Sequence, residues 1–118
     1  MDEERVQPMR ITDNDTGEVY ELDFSRESIM FMESQGFKVD EAFDFPVTKI
    51  PRLFYFAFRK NHRKIAQSQT DKLLAKIGGL TPKMIERIVA LYNQTALANN
   101  VQTEEDLAEN PHVTVELS

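Results

Sequence analysis

The amino-acid sequence predicts an α+β domain, mainly helical, in which an N-terminal β-hairpin is followed by about four helices. Three observations carry that prediction. Tyr20, Leu22 and Phe24 alternate with Glu21 and Asp23, which is the period of a strand with one apolar and one polar face. Downstream, apolar residues recur at three- and four-residue spacing, the period of a helix. The apolar segments are also bounded by residues that start or stop regular structure: Ser25, Gly36, Gly78, Thr81 and Pro82.

In chain order, residues 1–8 read as a loose tip closed by Pro8. Met9 to Thr12 and Glu18 to Phe24 read as two strands. The stretch between them, Asp13-Asn14-Asp15-Thr16-Gly17, is turn chemistry: short polar side chains that bond their own backbone, then a glycine. Ser25 suits a helix N-cap, with Glu27 in the first turn near the positive end of the dipole. Ile29, Met30, Met32 and Glu33 continue that helix until Gly36. Residues 37–48 are expected to be irregular, with Phe37, Val39, Phe43 and Phe45 plugging the core.

Pro46 and Pro51 bracket the next start, and a helix is expected from about Pro51 to Asn61. Thr70 is expected to cap another, with Leu73, Leu74 and Ile77 on one side and Gly78-Gly79 as its terminator. The clearest helix follows Thr81 as cap and Pro82 as first residue, with Ile85, Ile88, Val89 and Tyr92 on one face. Thr103 to Asp106 resembles a capping box, so a short helix is expected there before Pro111. Residues 1–98 thus form one small domain, and 99–118 an acidic, flexible C-terminal tail.

At 118 residues, with 41% hydrophobic and 29% charged side chains, the chain can build one core and has a globular composition. No apolar run approaches the roughly 20 residues of a membrane-spanning helix. The acidic N-terminus has no apolar centre, so a secretion signal is not expected and a cytoplasmic location is. There is no cysteine, which removes disulfides, thiol catalysis and thiolate metal sites together. The net charge of −6 hides an asymmetry: residues 1–48 balance to −9, 49–98 to +8 and 99–118 to −5. A basic middle between acidic ends suits an acidic partner, the chain's own ends, or a second copy, and the excess of acids favours the last two.

Little in the sequence points to chemistry. Asp13 and Asp15 begin like a calcium loop, but Gly17, Glu18 and Phe24 stand where a third ligand, the glycine and the final glutamate belong. His62 and His112 are the only histidines, and neither has a second ligand at metal spacing. No acid is singled out by an apolar setting as a general acid or base. Gly78-Gly79 lacks the rest of a phosphate loop. A non-enzymatic protein without cofactor or metal is therefore expected.

The unusual segment is Arg52 to Lys64. It packs the rings of Phe54, Tyr55, Phe56 and Phe58 against a run of bases. On a helix, Ile50, Leu53, Phe54, Ala57 and Phe58 share an apolar face, and Tyr55 and Phe56 fall partly off it. Those two rings, with Arg59, Lys60 and Arg63, are the candidate partner-binding residues, since aromatic and Arg side chains are enriched at interface centres. Bases at a helix C-terminus also suit the dipole, which is the plainer reading of Arg59, Lys60, Arg63 and Lys64. The alternative is a small nucleic-acid-binding regulator that uses residues 59–64.

Three stretches, Tyr20–Phe37, Lys49–Ile65 and Leu80–Leu97, together resemble the tail assembly chaperones of long-tailed phages and prophages. The first is a strand running into a helix that closes on Gly-Phe, the second an aromatic helix with a basic-His turn, the third a helix with Leu-Tyr near its end. The likeness covers roughly residues 9–98 and consists of packing patterns. It implies a small, mostly helical, self-associating protein that binds the tape measure protein and helps recruit the tail tube protein. It also implies a longer form made by ribosomal frameshifting, whose junction would lie near 99–118. The family has no catalytic residues to carry over.

Overall fold

The computed structural model of the chain describes residues 5–100 and 104–117. Strands β1 (Met9–Thr12) and β2 (Val19–Leu22) form the hairpin, antiparallel, with Arg10 opposite Glu21 and Ile11 opposite Tyr20. The turn is closed by the Gly17 N–H on the Asp13 carbonyl (2.8 Å), with Gly17 at φ 80°, a conformation a side chain would strain. β2 stops at Leu22, two residues short of the predicted end. Asp23 leaves the ladder because its N–H donates to the Ala57 carbonyl of a helix (3.0 Å). Asp23 also departs from the expectation that this strand's acids face water. It is buried, accepting from the Phe24 N–H (2.8 Å) and from Lys60 Nζ (2.9 Å).

Helix α1 (Arg26–Ser34) begins as its sequence implies. Ser25 Oγ accepts from the Ser28 N–H (3.1 Å), while Ser28 Oγ accepts from the Ser25 N–H (2.8 Å), so each serine serves an end-of-helix donor of the other. At its end Gly36, φ 77°, lets the chain fold back so that the Phe37 N–H reaches the Met32 carbonyl (3.2 Å).

The stretch 37–48 is more ordered than predicted. A 3-10 turn spans Val39–Phe43, and helix α2 (Pro46–Phe58) starts at Pro46, not Pro51. Both prolines suit a first turn; the earlier one takes it, and Pro51 lies inside the helix. Its missing N–H leaves the Val47 carbonyl unserved. That is tolerable because Val47 is 89% exposed, open to water. Phe37 and Val39 are buried as expected. Phe43 and Phe45 are not core plugs: they are 55% and 62% exposed, because Ala42 and Val39 already fill the space under the turn. α2 ends at Phe58 rather than Asn61, where the Arg59 N–H tightens onto the Phe56 carbonyl (3.2 Å).

Helix α3 (Gln67–Ile77) starts three residues before Thr70, which is therefore no cap. Gln69 Oε1 reaches back to the Ala66 N–H (2.8 Å), and Thr70 is fully buried with its hydroxyl on the Gln67 carbonyl (3.0 Å). Gly78, at φ 88°, ends α3 as predicted. Helix α4 (Pro82–Asn100) is capped by Thr81 Oγ1, which accepts from the Met84 N–H (3.2 Å). Its Ile88 and Leu91 are fully buried. A short helix, α5 (Glu104–Ala108), follows and buries none of its residues; Thr103, its expected cap, lies outside the described residues.

α2 is the axis of the core, packed against β2, the 3-10 turn and α3, while α1 lies on α4. The N-terminal tip is not loose where it is described. Gln94 of α4 holds Val6 from both sides, accepting from its N–H (2.7 Å) and donating to its carbonyl (3.3 Å), and Arg87 donates to the Gln7 carbonyl (3.2 Å). The molecule measures 57 × 30 × 27 Å, with a radius of gyration of 16.9 Å.

Candidate functional site

The predicted partner-binding residues all stand on α2 or just past its end, and the structure divides them. Phe56 is 1% exposed, so it belongs to the core and cannot meet a partner in this fold. Its ring packs against Phe37 (centroids 5.2 Å) and Phe31 (6.0 Å), and the Arg52 guanidinium lies over it (5.5 Å). The helix spacing placed Phe56 off the main apolar face correctly. What fills that second side is the chain's own α1 and the residues just past it. Tyr55 is half-buried and lies against Phe56 (5.2 Å), so one face of it stays accessible.

The three bases converge. Arg59, Lys60 and Arg63 line a groove of about 300 Å³ together with Ser25, Glu27 and Ser28 at the start of α1. Two of them already have work inside the molecule. The Arg59 guanidinium stacks on Phe31 at 3.7 Å, a cation–π contact, and Lys60 pairs with Asp23. Arg63 and Lys64 are exposed. A nucleic-acid face would need these bases turned outward beside accessible rings. Here the rings are mostly buried, and the bases are partly turned inward.

His62 has a role its sequence position did not reveal. Its Nε2 accepts from the Glu21 N–H (3.1 Å), and its ring meets Tyr20 (5.3 Å) and Phe58 (6.0 Å). Beside it, Asn61 Nδ2 donates to the Glu21 carbonyl (3.1 Å). Together they cover the outer backbone of β2 at Glu21. The basic-His turn is thus a bracket between α2 and the hairpin.

The exposed apolar surface lies elsewhere. A shallow groove of about 480 Å³ is lined by Phe43, Pro82, Ile85, Val89 and Ala90, with Glu86 and Asn93 at its polar margin. Phe45 and Val47 follow Phe43 in the chain and are also exposed. Sequence reasoning assigned Phe43 and Phe45 to the core because large rings are usually buried. The available signal was the alternation Phe43-Asp44-Phe45-Pro46-Val47, with polar or helix-starting residues between apolar ones. On α4 the apolar arc is wider than the body can cover: Ile88 and Leu91 are buried, but Ile85, Val89 and Ala90 only half so.

A third depression of about 470 Å³ runs between Glu33, Gly36–Asp40 and Tyr92. Burial, with the nearby Glu33 and Asp40 charges, pushes the Tyr92 hydroxyl above its ordinary pKa, so it remains a neutral donor. Among the described residues no group of three or more His, Cys, Asp or Glu side chains is placed to hold a metal, and no helix is long and apolar enough to cross a membrane.

With this geometry in hand, the comparison with known proteins gives one positive finding. The DUF5055 family model, a domain of unknown function, matches residues 2–117. The chain belongs to the DUF5055 family. The DUF5055 match runs through the folded body and on through α5 and the extended end, so the family pattern includes the acidic C-terminal segment. No curated protein and no solved structure matches the chain.

Proposed function

We propose that this DUF5055 protein is a non-enzymatic phage tail assembly chaperone. In this reading it works in the bacterial cytoplasm, binds an apolar helical segment of the tape measure protein, assists recruitment of the tail tube protein, and self-associates. The observation that carries the proposal is the uncovered apolar surface at Phe43, Phe45 and the α4 groove. An apolar patch of this kind on a small domain marks a protein–protein contact. A groove lined by Pro82, Ile85, Val89 and Ala90 suits one apolar face of a client helix. Modest patches suffice when many copies line up along a long client, because each bound neighbour raises the effective concentration of the next. Tyr55 and the groove of Arg59, Lys60 and Arg63 are the further contact residues in this reading, facing an acidic stretch of the partner. The sequence resemblance supplies the identity of the client.

The test is co-expression with the cognate tape measure protein, with soluble complex as the readout. Wild type should keep the client soluble and copurify with it. Phe43→Asp with Phe45→Asp should abolish the complex while the thermal melt of the isolated protein stays near that of wild type, since both rings are more than half exposed. If wild type forms no complex and leaves the client insoluble, the chaperone reading falls. If the double variant binds as well as wild type, the groove is not the site.

A further inference from the structure

The two-stranded sheet has one covered edge and one open edge. In an antiparallel pair, alternate residues turn their N–H and C=O groups toward the partner strand and away from it. Asp13 bonds Glu18 across the turn, so Ile11 and Met9 face β2, and Arg10 and Thr12 face outward. On β2 the outward groups of Glu21 are taken by His62 and Asn61. On β1 the outward groups of Arg10 and Thr12 have no hydrogen-bond partner among the described residues. A hairpin alone is marginal in water, and an open edge is a template for another strand.

The chain also carries a strand without a sheet. Val113, Thr114, Val115, Glu116 and Leu117 lie outside any helix or strand, and their sequence alternates apolar and polar. Val113, Val115 and Leu117 are 51%, 52% and 88% exposed. The preceding helix, α5, buries none of its residues.

The geometry points to strand exchange between copies: residues 113–117 of one copy add as a third, antiparallel strand to the β1 edge of a second copy. One register satisfies every position. Arg10 stands opposite Glu116 and Thr12 opposite Thr114, where the outward backbone groups bond. Met9 then stands opposite Leu117 and Ile11 opposite Val115, on the core face. Arg10 already reaches toward Glu21 on β2 (3.7 Å), so Glu116 would flank it on the other side. A parallel strand that keeps Arg10 opposite Glu116 carries Thr114 past the end of β1, opposite Pro8, which has no N–H to donate. Charge favours the same tail-to-edge pairing, since residues 99–118 hold only acids among their charged side chains while the edge presents Arg10. Main-chain bonds give such a contact its affinity and the alternating side chains its register. The inference specifies the self-association within the chaperone reading and needs no client.

The experiment uses purified full-length protein, with mass by sedimentation equilibrium over a range of concentrations. Wild type should associate. Arg10→Glu and Glu116→Arg should each weaken association several-fold, and the two together should restore it. Val115→Pro should weaken it about tenfold or more, since proline withdraws a ladder donor and bends the strand. Because the chain has no cysteine, Thr12→Cys protein mixed with Thr114→Cys protein should give an oxidised heterodimer. A monomer at all concentrations overturns the proposal. So does association that survives both Val115→Pro and Arg10→Glu, or a Thr12→Cys/Thr114→Cys chain that closes only on itself. None of these results bears on whether the protein binds a tape measure protein.

Discussion

Phe56 and Tyr55 are neighbours on α2, yet they meet different surroundings. Phe56 is enclosed by Phe31, Phe37 and Tyr55, while Tyr55 keeps one face in water. Phe56→Ala should cost about 3–5 kcal/mol, the usual range for emptying an aromatic core position. Tyr55→Ala should cost about 1 kcal/mol, the usual size of a point-mutation effect. Urea unfolding of the two variants checks the difference, and similar losses would mean that Tyr55 is core as well. At this scale the sequence was readable where one residue decides the outcome. Ser25, Thr81 and Gly36 each act through their own side chain or backbone freedom. It was not readable where the outcome depends on what lies opposite. Helix spacing puts Phe56 off the main apolar face without showing that α1 covers it, and nothing local shows that Asp23 turns inward to Lys60 or that His62 accepts from a strand. Those facts come from residues 19 to 41 positions away.

Among the elements, the hairpin, α1, α4 and the end of α3 were legible because period and punctuation agree. The start of α2 was not, because Pro46 and Pro51 are both good first-turn residues. Pro51 withdraws one hydrogen bond from the helix, so Pro51→Ala should raise stability by about 1 kcal/mol, within the cost proline carries inside a helix. A chemical melt reads this directly, and a loss of stability would mean the proline sets a bend that the core requires.

The hairpin turn is tied to α3 by Lys76, which pairs with Asp13 (2.7 Å) and Asp15 (3.2 Å). The Lys76 hydrogen bond is the main cause holding the Asp13 carboxyl below its ordinary value of 3.8, and the Asp13 bond chiefly lifts Lys76 above 10.5. A lowered carboxylate contributes stability that is complete above the ordinary Asp range and is lost as pH falls through the lowered value. The raised Lys76 gives the mirror result, with its contribution lost as pH climbs through the raised value. Asp13→Asn should therefore be less stable than wild type at neutral pH, and the gap should close below about pH 4. Melting curves across pH test this, and a gap that persists at pH 2 would assign the effect to the turn geometry.

Over the whole molecule the charge segregation is partly consumed within the chain. Lys60 with Asp23, and Lys76 with Asp13 and Asp15, join the basic middle to the acidic front. Two of the bases in that block thus fasten helices onto the acidic front of the chain. It also weakens the case for a nucleic-acid face at residues 59–64, since Lys60 is paired and Arg59 is stacked.

The outline of the particle, 57 Å along one axis and about half that along the others, has a practical consequence. A compact chain of about 100 residues has a radius of gyration near 13 Å, against 16.9 Å here. A body so drawn out suffers more friction than a sphere of equal mass, so it diffuses slowly and leaves a sizing column early. A lone copy will thus elute like a larger globular protein, and elution volume by itself will overstate how many copies travel together.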